Sequence, residues 1–487
     1  MYPIDDAKFL SILHDSNPWW KTNKVPKEKA LPFKRRDFFF IQKRLLEDKN
    51  IIALIGPRQV GKTTLAFQLI EDLINKGTEP KRILFVAVDN PLLEIKSKEG
   101  FNRIVEVFFN KIIKEPLSGL KEPVYIFLDE VTKFENWAEH LKGFQDMKQP
   151  IKFFITDSSS SRISRGASES LVGRVNIQRM MTLKFIDYVI YHMNDPDFNK
   201  INWELREALQ KAIAKKNPSN FYDRLQLARE ELAPIENKLQ LLFNEYLLKD
   251  GYPELLTFKS YERCRSRLQD YLSLTLFKDV VRMFEVRHPA VLEDLLTMMA
   301  DSSSQLIEFS TLSRNLSIKQ DTLRNYLQYL EDIFLISLNE YYSKNRSLRI
   351  KKNRKGYVSN VALLNNILGQ LDDSLFEDKT RMGYVVETLV MEHLKRLNFC
   401  LNPGRESKVF YWRDRKDHEV DLVIDTPKGP IPIEVKFRKR IDSEDFAGLL
   451  AFNKAHATPL SIMVTEDKLD IRDRIIMIPT WMFLLIC

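Results

Sequence analysis

Residues 50–70 read "NIIALIGPRQVGKTTLAFQLI". The apolar run Ile51 to Ile55 stops at Gly56, and Gly61-Lys62-Thr63-Thr64 opens a helical pattern continued by Leu65, Leu69 and Ile70. A strand, then G-x-x-x-x-G-K-T, then a helix is the context a phosphate-binding loop demands. The glycines let successive N–H groups turn inward, and the helix N-terminus adds partial positive charge. Gly56, Pro57, Arg58, Gln59, Val60, Gly61, Lys62, Thr63 and Thr64 would then cradle the phosphates of ATP. Lys62 would reach the β- and γ-phosphates, and the Thr63 hydroxyl would hold Mg2+. An α/β core follows from this stretch.

The second half of such a site is a buried strand ending in acid. "PVYIFLDE" at 123–130 supplies it: Asp129 would order Mg2+, and Glu130 would polarise the attacking water. A third strand, "IKFFITD" at 151–157, runs into "SSSSRISRGASESLVGR". Thr156 and Ser158 stand where a polar group could sense the γ-phosphate. Arg162, Arg165 and Arg174 are candidates for an arginine that neutralises transition-state charge. These features together point to a Mg2+-dependent ATPase.

At these residues the chain resembles archaeal and bacterial AAA-like P-loop ATPases fused to a C-terminal nuclease-like domain. The resemblance runs through "NPWW" (17–20), "GPRQVGKTT" (56–64), "FLDEVTKFENW" (127–137) and "ITDSSSSRI" (155–163). It continues in "LVGR" (171–174), "DGYPEL" (250–255), "RNYLQYLEDIFLI" (324–336) and "EVDLVI…IPIEVK" (419–436). It implies ATP binding and roles near the γ-phosphate for Ser158 and Arg174. The chain departs from the family at Asp157, where glycine is usual. It departs again at "TLKFID" (182–187), in place of a Pro-Leu-Ser-Phe-x-Glu stretch, and at Asn360, where aspartate is common.

At 487 residues the chain exceeds one ordinary core, so two to four domains are expected. Its 44% hydrophobic and 29% charged residues are those of a globular protein, and a net charge of +8 leaves nucleic acid open as a partner. Cys264, Cys400 and Cys487 lie too far apart for a metal spacing or a disulfide framework, which favours a reducing, cytoplasmic setting. Residues 1–30 do not read as a signal peptide. "IIMIPTWMFLLIC" at 475–487 is too short to span a bilayer and reads as a final buried strand, so no membrane partner is expected.

The charged, helical stretch 191–300 reads as a lid and linker. Residues 308–336 give a short helix, a turn and a longer amphipathic helix, with Leu312, Leu316, Leu323, Tyr326, Leu327 and Leu330 on one apolar face. That is helix-turn-helix geometry. The following run "KNRSLRIKKNRK" (344–355) holds seven basic residues and no acid. Together these predict a winged helix touching DNA phosphates through Lys319, Gln320, Arg324 and the basic run.

Farther on, Val420, Leu422 and Ile424 flank Asp421, a "DTPKG" turn follows, and "IPIEVKFRKR" carries Glu434 and Lys436 on one strand face. Glu387 lies on an upstream helix. These are the parts of a PD-(D/E)XK nuclease centre. Asp421 and Glu434 would ligate Mg2+ or Mn2+, Glu387 would add a further contact, and Lys436 would orient water or neutralise charge.

The expected architecture is an α/β P-loop NTPase (AAA-like) core with a helical lid, a winged helix and a small α/β restriction-endonuclease-like domain. The segments are an N-terminal arm (1–31), ATPase core (32–190), lid (191–300), winged helix (301–358) and nuclease-like domain (359–487). Two functions fit. One is an ATP-driven machine acting on DNA, as a homo-oligomer if Arg174 serves a neighbour. The other is an ATP-dependent molecular switch of the STAND type, whose C-terminal domain docks without cutting.

Overall fold

Buried strands that are apolar on both faces form parallel sheets covered by helices; the first four strands obey this rule, and the fifth, Val-Asn-Ile-Gln-Arg, is a part-exposed edge strand. The computed structural model describes residues 6–93, 98–284, 286, 288–402 and 408–487. The chain folds as two compact units, residues 1–181 with 332–334, and residues 182–331 with 335–487.

In the first unit, β1 (Ile51–Ile55), β2 (Ile83–Ala87), β3 (Val124–Asp129), β4 (Ile151–Asp157) and β5 (Val175–Arg179) make one sheet in the order β2-β3-β4-β1-β5. All four pairings are parallel. Because β4 lies between β1 and β3, the carboxyl ends of these strands bring Gly56, Asp129 and Asp157 to one rim. That rim is where open α/β sheets bind ligands.

The "NPWW" stretch finishes the sheet at its β2 edge. The Asn17 side chain donates to the Phe85 carbonyl (3.0 Å) and accepts from the Phe85 N–H (2.6 Å). The indole N–H groups of Trp19 and Trp20 donate to the Ile83 carbonyl at 3.1 and 2.8 Å. Side chains thus satisfy backbone groups that an edge strand would otherwise expose.

The second unit is built on a nine-stranded mixed sheet in the order β13-β14-β12-β11-β10-β9-β7-β8-β6. Its strands are β6 (Gln305–Leu306), β7 (Ile336–Tyr341), β8 (Lys355–Val358), β9 (Val409–Arg413), β10 (Glu419–Thr426), β11 (Gly429–Lys436), β12 (Ser461–Thr465), β13 (Asp470–Arg472) and β14 (Ile475–Pro479). The hairpin β10/β11 is antiparallel, with Leu422 opposite Ile433. β7 pairs in parallel with β9, so segments 301–358 and 359–487 share one sheet.

The helices Phe309–Asn315 and Gln320–Asp332 sit between β6 and β7 in the chain. Leu323, Tyr326, Leu327 and Leu330 are buried, while Lys319, Gln320 and Arg324 are exposed.

The end of the chain differs from expectation. Only Ile475–Pro479 is strand, and Thr480–Ile486 is a fully buried helix. Pro479 has no N–H to extend a ladder, and its fixed φ suits a helix start. The Asn202 amide, on helix Phe198–Lys215, donates to the Leu485 and Ile486 carbonyls at 2.5 and 3.0 Å, which satisfies that helix's last acceptors. Part of the 191–300 segment therefore packs on the terminal helix within the second unit. Among the described residues, no helix is long and apolar enough to cross a membrane.

Candidate functional site

The loop between β1 and helix Lys62–Asn75 carries the first constellation. Its turn needs two left-handed residues, Gln59 (φ 63°) and Gly61 (φ 95°), the second at the helix N-terminus. Gly56 is required for space: a Cβ there would stand 1.9 Å from the Met180 carbonyl oxygen. The buried Lys62 ammonium donates to the Gly56 and Pro57 carbonyls at 2.8 and 2.9 Å. Burial lowers its pKa, and Glu130, Asp129 and Asp157 oppose that shift. Arg35 was not anticipated as a loop residue; its guanidinium donates to the Val60 (3.3 Å) and Met181 (2.9 Å) carbonyls and braces the loop from behind. No motif marks it.

At the neighbouring strand ends, the Thr63 hydroxyl donates to Asp129 at 2.9 Å, and Thr156 donates to the other Asp129 oxygen. Burial raises the Asp129 pKa, and the two threonine bonds restrain it. A hydroxyl and a carboxylate in contact at the helix start are the hard oxygen donors Mg2+ takes. Glu130 adopts a left-handed backbone (φ 54°), its N–H donates to Thr156 at 3.2 Å, and its carboxylate accepts from Ser158 at 3.1 Å. Lys62, Thr63, Asp129, Glu130, Thr156 and Ser158 are thus brought together.

Asp157, where the resembled ATPases usually carry glycine, spends both of its carboxylate oxygens on the turn after Glu130 and on Ser159. It is fully buried and accepts from the Thr132 N–H (3.0 Å), the Thr132 hydroxyl (2.6 Å) and the Ser159 N–H (2.8 Å). The carboxylate therefore ties the turn after Glu130 to the end of β4. Burial and the nearby Glu130 push its pKa up to about 6.

Arg174 is not brought to this rim in its own chain. Its carbonyl accepts from Ile51 N–H at the start of β1, and its guanidinium pairs with Asp146 at 2.8 Å, both side chains part-exposed. Five residues of strand, roughly 16 Å, separate that end from Gly56. Arg162 rides the helix Ser160–Glu169 that leaves the β4 end of the rim, and the side chain of Arg165 lies outside the described residues. The exposed Arg179, unmarked by any motif, stands in register with Ile55 at the loop end of β1.

The second unit holds a separate buried cluster. Helix Lys379–Leu401 delivers Glu387, β10 delivers Glu419 and Asp421, and β11 delivers Glu434 and Lys436. Asp421 accepts from the Val435 N–H at 2.9 Å, and Lys436 donates to Glu434 at 2.5 Å. All four residues expected at this site converge. A fifth was missed. Lys355, which ends the basic run and was expected on the surface, is only 3% exposed. Its ammonium meets Glu387 at 2.9 Å, Glu419 at 3.0 Å and Asp421 at 3.2 Å. From the same strand, Tyr357 donates to Glu387 at 2.8 Å.

The charges in this cluster shift one another. Burial works against the Lys355 charge, but Glu387, Tyr357, Asp421 and Glu419 more than offset it and hold the ammonium well above the usual lysine range. Asp421 is held low by Lys355 and Lys436 despite burial. Burial and Asp421 push Glu434 up to about 8, and burial raises Glu387 to about 7. One Glu434 oxygen is buried with no hydrogen-bond partner.

Asn360, where the resembled ATPases commonly carry aspartate, has a local capping task. It caps helix Val361–Ile367, accepting from the Leu363 N–H at 3.0 Å.

Residues 48–189 match the family described as "AAA domain". Residues 240–374 and 382–483 match two domains of unknown function, DUF8612 and DUF4143. An uncharacterized protein of Mycobacterium tuberculosis is 26% identical over 404 residues, 82% of this chain and 74% of that protein. An uncharacterized protein of Methanocaldococcus jannaschii is 25% identical over 397 residues, 79% of this chain and 74% of that one. Among solved structures, a Walker-type ATPase of Pyrococcus abyssi aligns at 14% identity and a TM-score of 0.41, covering 69% of this chain and 96% of its own.

Proposed function

Residues 48–189 are an AAA-type P-loop ATPase domain, and on that premise we propose that the chain binds and hydrolyses ATP and uses the cycle to act on DNA. The observation that carries the ATPase half is the single rim on which Lys62, Thr63, Asp129, Glu130 and Ser158 meet. Thr63 and Asp129 would hold Mg2+, which supplies neutralising charge to the triphosphate when bound. Lys62 binds the phosphate tail. Glu130, held by Ser158, orients the attacking water and takes its proton. Arg174, at the far end of the sheet, is assigned to the site of a second copy rather than its own.

The DNA half is supported by the element order helix Pro289–Asp301, β6, two helices, β7, a basic helix and β8, which is that of a winged helix. Lys344, Arg346, Lys351 and Lys352 are exposed between β7 and β8. Arg349 is not part of that surface, since it stacks on Phe410.

A second reading, the switch with a docking C-terminal domain, is favoured by one observation. The nuclease-like carboxylates already hold a lysine. Among the described residues, no group of His, Cys, Asp and Glu is arranged to hold a metal ion. The cluster does not fit a divalent ion, and no cleavage step is derived from it.

Calorimetry and turnover assays test the ATPase reading. Lys62→Ala should abolish ATP binding. Glu130→Gln should bind ATP normally and lose about 10²–10⁴-fold in turnover; undiminished hydrolysis would move the base elsewhere. Duplex DNA should raise wild-type turnover in a salt-sensitive way, and DNA-indifferent turnover would favour the switch.

A further inference from the structure

A lysine ammonium has three N–H donors and carries one positive charge. Inside the second unit, the three donors of Lys355 face three carboxylates, Glu387, Glu419 and Asp421, at 2.9, 3.0 and 3.2 Å. These are hydrogen-bond lengths. Magnesium would require oxygens at about 2.0–2.1 Å, so the carboxylates are spaced for an ammonium. The spacing is also braced. Tyr357, two residues along β8, fixes Glu387 from the side, and the Val435 N–H fixes Asp421. Glu419 and Asp421 are two residues apart on β10, so alternation turns both to the face that Lys355 occupies.

We propose that Lys355 is a tethered cation that occupies the place of a divalent metal in the C-terminal carboxylate cluster, making this domain metal-independent. Two ammoniums, Lys355 and Lys436, then serve the four carboxylates Glu387, Glu419, Asp421 and Glu434. An isolated buried carboxylate cluster would have to be neutralised by protons, cations or both. Here β8 brings the cation with the chain. The placement also explains why a lysine so near a solvent-facing basic run is almost wholly buried. The inference concerns the second unit alone and stands or falls independently of ATP hydrolysis in the first.

Manganese binding tests it, with Mn2+ alone as the probe. The full-length, nucleotide-free chain is titrated and bound ion counted by electron paramagnetic resonance, beside Asp421→Asn, Lys355→Ala and a Lys62→Ala control for the P-loop. The wild type should take up no manganese that Asp421→Asn removes, and its melting temperature should not respond to Mn2+ or to chelator. Lys355→Ala, which frees three carboxylates, should gain one stoichiometric Mn2+ that Asp421→Asn in the same background abolishes. Stoichiometric uptake by the wild type, lost in Asp421→Asn and retained in Lys62→Ala, would overturn the proposal. A folded Lys355→Ala chain that binds no manganese would overturn it as well. Should Lys355→Ala fail to fold, the comparison of wild type with Asp421→Asn still decides.

Discussion

Lys355 closes a run of basic residues, and nothing in that run sets its last member apart. Its meaning comes from β8, where alternation turns Lys355 and Tyr357 to the face that Glu387 approaches. The expected carboxylates, by contrast, were readable one at a time, because a charge inside an apolar strand is costly unless it is satisfied. What spacing did not reveal was the satisfying group. Glu434 allows a test at this scale. In the folded protein it keeps its proton up to about 8, whereas an ordinary glutamate releases it near 4.5. The native state therefore binds the extra proton between those values. The associated stability is full below about pH 4.5 and is lost as pH rises through about 8. The melting temperature should fall between about pH 4.5 and about pH 8 and level off above it, and Glu434→Gln should flatten that fall. An identical slope in the variant would show that Glu434 ionises normally.

Among the elements, the strand–loop–helix of the P-loop was the most legible, because each part is local: an apolar run, two glycines and a helical period. The turn after β14 was not legible, since "IIMIPTWMFLLIC" is apolar throughout and periodicity cannot divide it. Its division comes from Pro479 and from Asn202, a partner far away in sequence. The basic helix Arg346–Lys351 supports a prediction of its own. Replacing Lys344, Arg346 and Lys351 by alanine should weaken duplex binding about equally across sequences. It should also lower the slope of log affinity against log salt by up to about 0.9 for each phosphate no longer neutralised. Fluorescence anisotropy over a salt series reads both. An unaltered slope would remove this helix from the DNA surface. Arg349→Ala is not an equivalent change, because the side chain packs on Phe410 and its removal would disturb the sheet.

For the molecule as a whole, sequence order was silent about how the C-terminal strands are grouped. The strands of segments 301–358 and 359–487 were expected in separate domains, and a long helix, Lys379–Leu401, lies between them in sequence. The β7–β9 pairing joins them into one sheet, and no short-range pattern encodes a ladder between residues about seventy apart. The same blindness applied to "NPWW", recognisable as a motif yet silent about its task. Asn17, Trp19 and Trp20 reach the outer backbone of β2 from the start of the chain. They act as a stopper on a strand that could otherwise recruit a stranger. Chains beginning after residue 23 should keep the P-loop sequence intact yet clump on concentration, with light scattering and infrared absorption reporting intermolecular ladders. Shortened versions made for crystallisation or assay would thus look inactive for a colloidal reason, with the chemistry of the ATP site untouched.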